Sequence, residues 1–567
     1  MSVELHFNNQ RFDVEKGHSL FEYAESAGIR VPTSCVKQGK CKECLVEVTE
    51  GMEYLSQPTY KEAHLRGTRA LPDNNFRLSC QTKIISDSGF VRCNTMRRGK
   101  MKIEHKAFKL PTANKKLKLD PAVTRDGDKI LMDGKEITKS DKAIHGIAID
   151  LGTTTIVVRL FNLETGELVA DSSFENPQRF GGSDVMSRIH YDTEYKGKLL
   201  QRTLAGYLTH AIEEFPVDPQ TIYEIVIGGN STMRDIFFRL NVYSIGQNPY
   251  RSITEIENLE GKRITTSLVQ TPKRLLLPIH PKGRIYGLPI ISGHVGADAA
   301  ACMLAVDIAN EKRLVAIMDI GTNTELILGN KDRILAASCP AGPAFEGGKI
   351  SCGMPGLPGA IEKVKMNSDD SFSLGVVGDG KPEGICGSGL IDLLSELLKN
   401  SKINYLGRFS DADSMDGLHG EKLERIILYS DSEREIFINE SDINELAQAK
   451  AANVAGLHSV FNKYGIRFND VDVFYLAGGF GRYLNVESAK RIGLIPNIDD
   501  SKIVQVGNAS IEGVSIALLS VTKRKDLENL VKKVIHCRLE TDPEFFNYFV
   551  EGCQFNPIES LNISSAV

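Results

Sequence analysis

Residues 33–45 read T-S-C-V-K-Q-G-K-C-K-E-C-L and place three cysteines on one short loop that also contains a glycine. Cys35, Cys41 and Cys44 stand in a C-x5-C-x2-C spacing, and Cys80 follows after a further 35 residues in F-R-L-S-C. Three thiolates from one loop and a fourth from a strand form the ligand set of a [2Fe-2S] cluster. Zinc is the competing metal, but zinc ribbons pair two C-x2-C units and only Cys41 and Cys44 form one. The loop therefore predicts one-electron chemistry.

The residues before and after this loop predict a small α+β domain. An Asn-Asn turn signal that begins at Asn8 separates two alternating segments, which indicates a β-hairpin. Ser19, with Glu22 three residues later and Gly28 at the far end, is typical of a capped helix. A hairpin, a helix, a cysteine loop and a strand, in this order, resemble the β-grasp fold of [2Fe-2S] ferredoxins, and the cysteine spacing resembles the adrenodoxin-like branch. We assign residues 1–95 to this domain.

Length and composition limit the classes of function. A chain of 567 residues is too long for one core and favours about three or four domains. The net charge of −5 gives no electrostatic case for nucleic acid as a partner. The first residues lack a signal-peptide pattern, no apolar stretch predicts a membrane span, and the other seven cysteines are scattered. We therefore expect a cytoplasmic protein with no membrane partner.

Residues 96–142 predict a basic linker. Between Met96 and Asp120, nine lysines and arginines stand against Glu104 and Asp120, and few large hydrophobic residues occur. This composition is typical of a solvated tether. We expect a spacer that lets the cluster domain move, and contact with an acidic partner is the alternative.

The large region that follows contains one design twice. The apolar run 144–151 continues into D-L-G-T-T-T, and the run 314–320 continues into D-I-G-T-N-T, 169 residues further on. Each motif joins two strand-like segments through a Gly-Thr turn. Glycine lets backbone N–H groups approach a phosphate, threonine hydroxyls add donors, and the aspartate at the strand end can hold a hydrated Mg2+. Two such hairpins predict a nucleotide that is held by its phosphates.

Both halves, assigned as 143–310 and 311–567, continue in parallel. In each half a strand ends in Gly-Gly, and a later strand ends in a Gly-rich turn that opens a helix of small residues. The two hairpins, together with L-A-G-G-F-G-R at 476–482, resemble the phosphate-1, phosphate-2 and adenosine motifs of the acetate kinase, sugar kinase, Hsp70 and actin superfamily. This resemblance implies a duplicated α/β, ribonuclease H-like and actin-like ATPase fold that binds ATP.

The resemblance also implies a role for each matching residue. Asp150 and Asp319 are expected to be catalytic, close to Mg2+. The hairpins are expected to contact the phosphates, and the third motif the adenosine, through Gly152, Thr153, Thr154, Thr155, Gly321, Thr322, Asn323, Thr324, Gly478, Gly479 and Gly481. Two further segments stay open. Glu346, in the loop 340–349, belongs either to a nucleotide-lining loop or to a surface turn, and 384–390 either packs a helix or contacts phosphate.

A cluster domain in front of such an ATPase resembles the ATP-dependent reductive activators of corrinoid proteins, over nearly the whole chain. The segments 340–349, 384–390 and D-P-E-F-F-N-Y at 542–548 also look like that family. The resemblance implies that an external low-potential donor reduces the cluster and that ATP drives one electron to a corrinoid, which returns from Co(II) to Co(I). No corrinoid-binding motif occurs in the chain. The cobalamin is therefore expected on a partner from a methyltransferase system.

Some members of that family carry an additional middle domain, for which the 96–142 linker leaves little room. We therefore expect no dimer contact of that origin, although a homodimer stays open. The alternatives are an ATP-dependent electron activator of another metalloprotein, an Hsp70-like or actin-like binding module that senses redox state without net electron transfer, and a small-molecule kinase. The cysteines of the ATPase region are scattered, which disfavours an electron activator of another metalloprotein. A small-molecule kinase would need a catalytic base, and the sequence identifies none.

Overall fold

The computed structural model describes residues 2–8, 10–65, 75–97, 117–195, 197–410, 425–432, 434–479 and 484–559. These residues fall into two compact units. The first unit is made of Met1–Lys100, Leu119–Ala297 and Ala517–Arg524, and the second consists mainly of Asp298–Ile516 and Lys525–Val567. In the described part of the chain, no helix combines the length and the apolar character that a membrane crossing requires. The cluster domain and the first half of the duplicated region therefore share one unit.

In its described residues, the N-terminal domain contains five strands and one α-helix. They are β1 (Val3–Phe7), β2 (Gln10–Val14), α1 (Leu20–Ser26), β3 (Leu45–Glu50), β4 (Phe76–Leu78) and β5 (Gly89–Thr95). The sheet order is β2-β1-β5-β3-β4, with β1 and β5 parallel and the other neighbours antiparallel. α1 begins with the predicted capping box, in which Ser19 and Glu22 each accept the other's backbone N–H. The predicted ferredoxin-like domain is confirmed.

Part of the segment assigned to a linker is folded. Residues 98–116, with seven of the nine basic residues, lie outside the described residues. The segment that follows forms an antiparallel sheet of β6 (Val123–Asp126), β7 (Lys129–Met132) and β8 (Lys135–Lys139). Val123 and Ile130 are fully buried. The lysine-rich composition concealed these strands, because they are short and expose most of their polar side chains.

The first half of the duplicated region is built on a six-stranded sheet of order β11-β10-β9-β12-β14-β13. Its elements are β9 (His145–Leu151), β10 (Thr155–Asn162), β11 (Leu168–Glu175), α2 (Val185–Glu194), α3 (Leu199–Glu213), β12 (Ile222–Gly229), α4 (Ser231–Phe237), α5 (Ile253–Leu259), β13 (Leu268–Gln270), α6 (Pro272–Leu275), β14 (Arg284–Gly287) and α7 (Ala297–Ala305). Every residue of β9 and β12 is buried, which explains their near-continuous apolar sequences.

The second half is built on a sheet of order β24-β23-β15-β16-β17-β25. Its elements are β15 (Val315–Asp319), β16 (Thr324–Gly329), β17 (Ile334–Cys339), β18 (Ala360–Met366), β19 (Phe372–Val376), β20 (Gly384–Ile385), α8 (Gly387–Lys399), β21 (Arg425–Ser430), β22 (Glu435–Asn439), α9 (Glu440–Tyr464), β23 (Val473–Ala477), α10 (Val486–Arg491), β24 (Ile503–Gly507), α11 (Ala509–Leu519), α12 (Val521–Leu530), β25 (Ile535–His536) and α13 (Phe545–Gly552).

The two halves share one topology, which confirms the predicted duplication. An antiparallel meander of three strands is extended by two parallel strands in both, as β11-β10-β9-β12-β14 and as β17-β16-β15-β23-β24. The Gly-Gly positions also correspond. Gly229 has φ +140, and a Cβ at this position would lie 2.4 Å from the carbonyl oxygen of Leu151. Gly478 has φ +112, and a Cβ at this position would lie 2.3 Å from the carbonyl oxygen of Ile320. Only glycine fits beside either motif strand.

Candidate functional site

The four cysteines of the predicted cluster motif lie in two pairs. The Cys44 Sγ lies 3.2 Å from the Cys80 Sγ, and Cys41 donates to the Cys35 sulfur through its backbone N–H and its thiol. A [2Fe-2S] cluster takes two protein ligands on each iron, which suits two pairs, whereas structural zinc needs all four ligands around one centre. Among the described residues, no three His, Cys, Asp or Glu side chains converge as they would around a single metal ion.

The surroundings of two of these thiols, Cys35 and Cys80, favour the thiolate form. The thiol of Cys44, which donates to the Cys80 sulfur, lowers the pKa of Cys80 to about 6, and the Gln81 side-chain amide adds to this effect. Burial opposes ionisation of Cys35, but three backbone N–H groups of its own loop lower its pKa. Cys93, outside the motif, is fully buried, and burial raises its pKa. The hydrogen bond to Cys80 and burial raise the pKa of Cys44, so the thiolate form is favoured at Cys35 and Cys80 and not at Cys44 or Cys93.

A buried ion pair fixes the strand that leads to Cys80. Glu62 accepts from the Arg77 Nε at 2.9 Å, from the Leu78 N–H at 3.0 Å and from the Thr59 N–H at 2.7 Å. Burial raises the pKa of Glu62, but Arg77 and the two N–H groups together hold it below its usual value. The T-Y-K-E pattern at 59–62 is a capping box that could have predicted the Thr59 contact. Nothing local predicts the pairing with Arg77.

Asn176 holds the first Gly-Thr hairpin from outside its turn. Its Nδ2 donates to the Gly152 carbonyl at 2.8 Å, and its backbone N–H donates to the Thr154 carbonyl at 2.6 Å. The same residue caps the 3-10 turn Pro177–Gly181 by accepting the N–H of Gln178. The sequence analysis missed Asn176, although an Asn-Pro pair at a strand end is a recognisable start of a helical turn.

Asn230 holds the same hairpin from the neighbouring strand. Its Nδ2 donates to the Thr153 Oγ1 at 2.8 Å, and its Oδ1 accepts the Met233 N–H at the start of α4. Asp150, the last residue but one of β9, is buried beside it in the sheet, where it lies in register with Gly228. The first Gly-Thr turn therefore has two of its carbonyl groups and one hydroxyl fixed by asparagines.

The second hairpin has a different support. The Thr322 hydroxyl donates to the Glu346 carboxylate, and the Gly342 N–H donates to the Thr322 carbonyl at 2.8 Å. A Cβ on Gly321 would lie 3.6 Å from a Glu346 oxygen. The loop 340–349 thus contacts the phosphate-2 hairpin, while Gly384 and Ile385 form β20 and the following residues begin α8.

Three carboxylates interact at the base of the second hairpin. Glu325 is fully buried on β16, and burial together with the charges of Asp298 and Asp319 raises its pKa well above the usual value. The Cys302 thiol on α7 donates to the Asp319 Oδ2 at 3.3 Å. The Ser338 hydroxyl donates to Glu325 at 3.3 Å. A cation near Asp319 would relieve this concentration of negative charge.

The third motif adjoins the second hairpin. β23 runs parallel to β15, with Ala477 in register with Asp319, and the Gly478 N–H donates to the Gly507 carbonyl at 3.1 Å. Gly479 is exposed, and Gly481 lies outside the described residues. Asp319, the second turn and Gly478 therefore belong to one continuous edge of the sheet. Asn323 and Gly321 are partly exposed on this edge, whereas Thr324 is buried in β16.

Comparisons with known proteins agree with this arrangement. The chain matches the 2Fe-2S iron-sulfur cluster binding domain over residues 4–84, the RACo middle region over 145–311, and the C-terminal domain of RACo, the ASKHA domain, over 313–565. These matches support a 2Fe-2S cluster in the N-terminal domain and nucleotide binding in the C-terminal region.

Two curated relatives and one solved structure match most of the chain. The corrinoid activation enzyme RamQ of Eubacterium limosum is 28% identical over 600 residues, which cover 98% of this chain and 99% of RamQ. The [Co(II) methylated amine-specific corrinoid protein] reductase of Methanosarcina barkeri is 26% identical over 442 residues, 72% of this chain and 76% of that protein. A solved reductive activator for a corrinoid, iron-sulfur protein matches with a TM-score of 0.70 and 26% identity over 100% of both chains.

The expectation that the 96–142 linker holds no additional domain stays a prediction. The RACo middle region matches 145–311, the stretch assigned to the first half of the ATPase and not the linker. The solved activator aligns over the whole of both chains.

Proposed function

This chain belongs to the RACo family of reductive activators of corrinoid proteins, and from that premise we propose that it uses ATP to pass one electron to the corrinoid of a partner protein. The acceptor cobalt goes from Co(II) to Co(I), the state that accepts a methyl group. The observation that carries the proposal is the joining, in one chain, of a thiolate-lined 2Fe-2S domain and a complete duplicated ATPase.

The requirement for ATP follows from redox potentials. A 2Fe-2S cluster of ferredoxin type has a potential near −400 mV, and for one electron each 59 mV corresponds to a tenfold change in equilibrium. An uphill transfer of about 200 mV therefore needs on the order of 5 kcal/mol. A conformational equilibrium moved from 1:99 to 99:1 involves a free energy of the same size. Binding of ATP can supply it through differential affinity for two conformations.

We assign the ligand and nucleotide roles as the sequence predicts them. Cys35, Cys41, Cys44 and Cys80 hold the cluster, which supplies one-electron transfer when it is bound. The two Gly-Thr turns bind the phosphates, and Gly478 lies against the nucleoside. Mg2+ binds near Asp319, which the neighbouring carboxylates support. The electron enters from an external low-potential donor, and the reaction takes place in the cytoplasm.

The test uses variants that impair ATP chemistry and spare the cluster. Asp150→Ala and Asp319→Ala are expected to abolish ATP-stimulated Co(I) formation on a corrinoid protein while the visible absorbance of the cluster stays unchanged. Asp332→Ala is the matched control, because Asp332 is 75% exposed. If both test variants reactivate the partner at the normal rate, the proposal fails. If the wild type binds the partner in an ATP-dependent way without forming Co(I), the chain is a binding module instead.

A further inference from the structure

Within the first unit, the cluster domain contacts the first half of the ATPase through two arginines. Arg202 on α3 donates from Nη2 to the carbonyl oxygen of Cys41 at 2.9 Å. Arg179, in the 3-10 turn Pro177–Gly181, donates from Nη1 to a Glu47 oxygen on β3 at 2.6 Å. We call these two contacts the cluster seat. Both contacts lie close in sequence to a predicted cluster ligand. Glu47 is three residues after Cys44, and Arg202 binds the backbone of Cys41 itself.

The same 3-10 turn is fixed at its other end to the phosphate hairpin. Asn176 immediately precedes the turn and holds the carbonyls of Gly152 and Thr154. Inside the turn, the Gln178 Nε2 donates to the Leu200 carbonyl on α3 at 3.2 Å, two residues before the arginine that contacts the cysteine loop. One short turn therefore contacts the nucleotide hairpin, the helix of the seat and the cluster domain.

Both members of the Arg179–Glu47 pair are shielded from solvent, whereas only one member is shielded in the Arg202–Glu43 and Arg97–Glu214 pairs. The Arg179 and Glu47 side chains are 13% and 14% exposed, whereas Glu213 and Glu214, which pair with Arg30 and Arg97, are 39% and 40% exposed. Exposed pairs contribute little because water and salt screen them, while a shielded pair depends strongly on its geometry. A small displacement of the turn therefore affects this pair more than its neighbours.

We propose that Arg179 is a positioning residue that couples nucleotide binding at the first hairpin to the seating of the cluster domain. This inference rests on the proposed function. It assigns to the Arg179 contact the regulation of the cluster domain's position by the nucleotide. In a trans peptide the C=O and N–H groups point in opposite directions, so holding the carbonyls of Gly152 and Thr154 orients the next N–H groups. A phosphate bound by those N–H groups stabilises the Asn176 contacts, the turn and the seat together.

Thermodynamic reciprocity gives the test. If the nucleotide stabilises the seat, an intact seat must strengthen nucleotide binding by the same factor. We would measure the Kd of a nonhydrolysable ATP analogue by calorimetry on the anaerobic, cluster-loaded full chain. Glu47→Gln and Arg179→Gln are each expected to raise this Kd about fivefold or more. The double variant is expected to match Arg179→Gln, because Arg179→Gln already removes the pair with Glu47 together with the pair with Glu175 at 3.8 Å.

Glu47→Gln is the decisive variant, since it lies in the cluster domain and a purely structural role there would not change nucleotide affinity. Arg92→Gln is the matched control. Arg92 pairs with Glu50 on the same domain at 2.8 Å, and it should keep the wild-type Kd. An unchanged Kd in Glu47→Gln, with normal cluster absorbance, overturns the coupling. This assay contains no corrinoid protein, so its result does not depend on Co(I) formation. A chain that shows the coupling here and forms no Co(I) in the separate corrinoid assay would refute the proposed function alone.

Discussion

Replacing Glu62 with alanine is expected to release the strand that carries Cys80. Glu62 is 1% exposed and Arg77 beside it is 2% exposed, with 2.9 Å between the Arg77 Nε and the carboxylate. The alanine variant leaves the buried guanidinium without its carboxylate and leaves the N–H groups of Thr59 and Leu78 without their acceptor. Removing one partner of a buried ion pair costs about 3–5 kcal/mol.

Urea unfolding, followed by the visible circular dichroism of the cluster, measures this loss. At about 2 kcal/mol per M of urea, a loss of about 3–5 kcal/mol lowers the midpoint by about 1.5–2.5 M. Glu50→Ala is the control, because its pairing with Arg92 is exposed and contributes less than about 1 kcal/mol. Equal midpoint shifts in both variants would refute the reasoning.

The pH dependence of this contribution has a definite sign. The pKa of Glu62 is lowered in the folded state from its ordinary value of 4.5, so the carboxylate stabilises the domain above that pH. The contribution is lost as the pH falls through the lowered pKa. The urea midpoints of Glu62→Ala and the wild type should therefore converge in acid.

Three further predictions concern other parts of the chain. Cys80→Ser should lose the visible spectrum of the cluster, and Cys93→Ala should keep it, as absorbance after anaerobic reconstitution would show. Asn230→Ala should raise the Kd of an ATP analogue about tenfold in calorimetry, because the helix cap and the bond to Thr153 are both lost. Burial lowers the pKa of His458 to about 4, so the unfolded chain gains a proton first as the pH falls below 6.5. His458→Phe should reduce the acid loss of stability by about 2 kcal/mol between pH 6.5 and 5, measured as thermal midpoints.

Local patterns allowed much of the fold to be predicted. The capping box of Ser19 and Glu22 lies within four residues, and each Gly-Thr turn joins adjacent strands. These features depend on residues that are close in sequence, so they can be predicted without knowledge of the tertiary structure. The duplication was also predictable, because each half repeats a Gly-Gly strand after its hairpin and the observed strand orders coincide.

Contacts between distant residues could not be predicted in this way. Arg179 and Glu47 are 132 positions apart, and Arg77 and Glu62 meet only because β4 returns beside the 3-10 helix Tyr60–Leu65. The strands at 123–139 were missed because the basic residues that predict a linker lie at 97–118, before these short strands. Glu346 stayed open because its loop is rich in small residues, and only its contact with Thr322 relates it to the nucleotide hairpin.

The central claim is that ATP drives the electron from this chain to cobalt. The direct measurement mixes the reduced, cluster-loaded protein anaerobically with a Co(II) corrinoid protein and follows the Co(II) and Co(I) absorbance with ATP, with a nonhydrolysable analogue and without nucleotide. The account predicts Co(I) with ATP and a low yield without nucleotide. Co(I) formation at the same rate and to the same extent without nucleotide would contradict it.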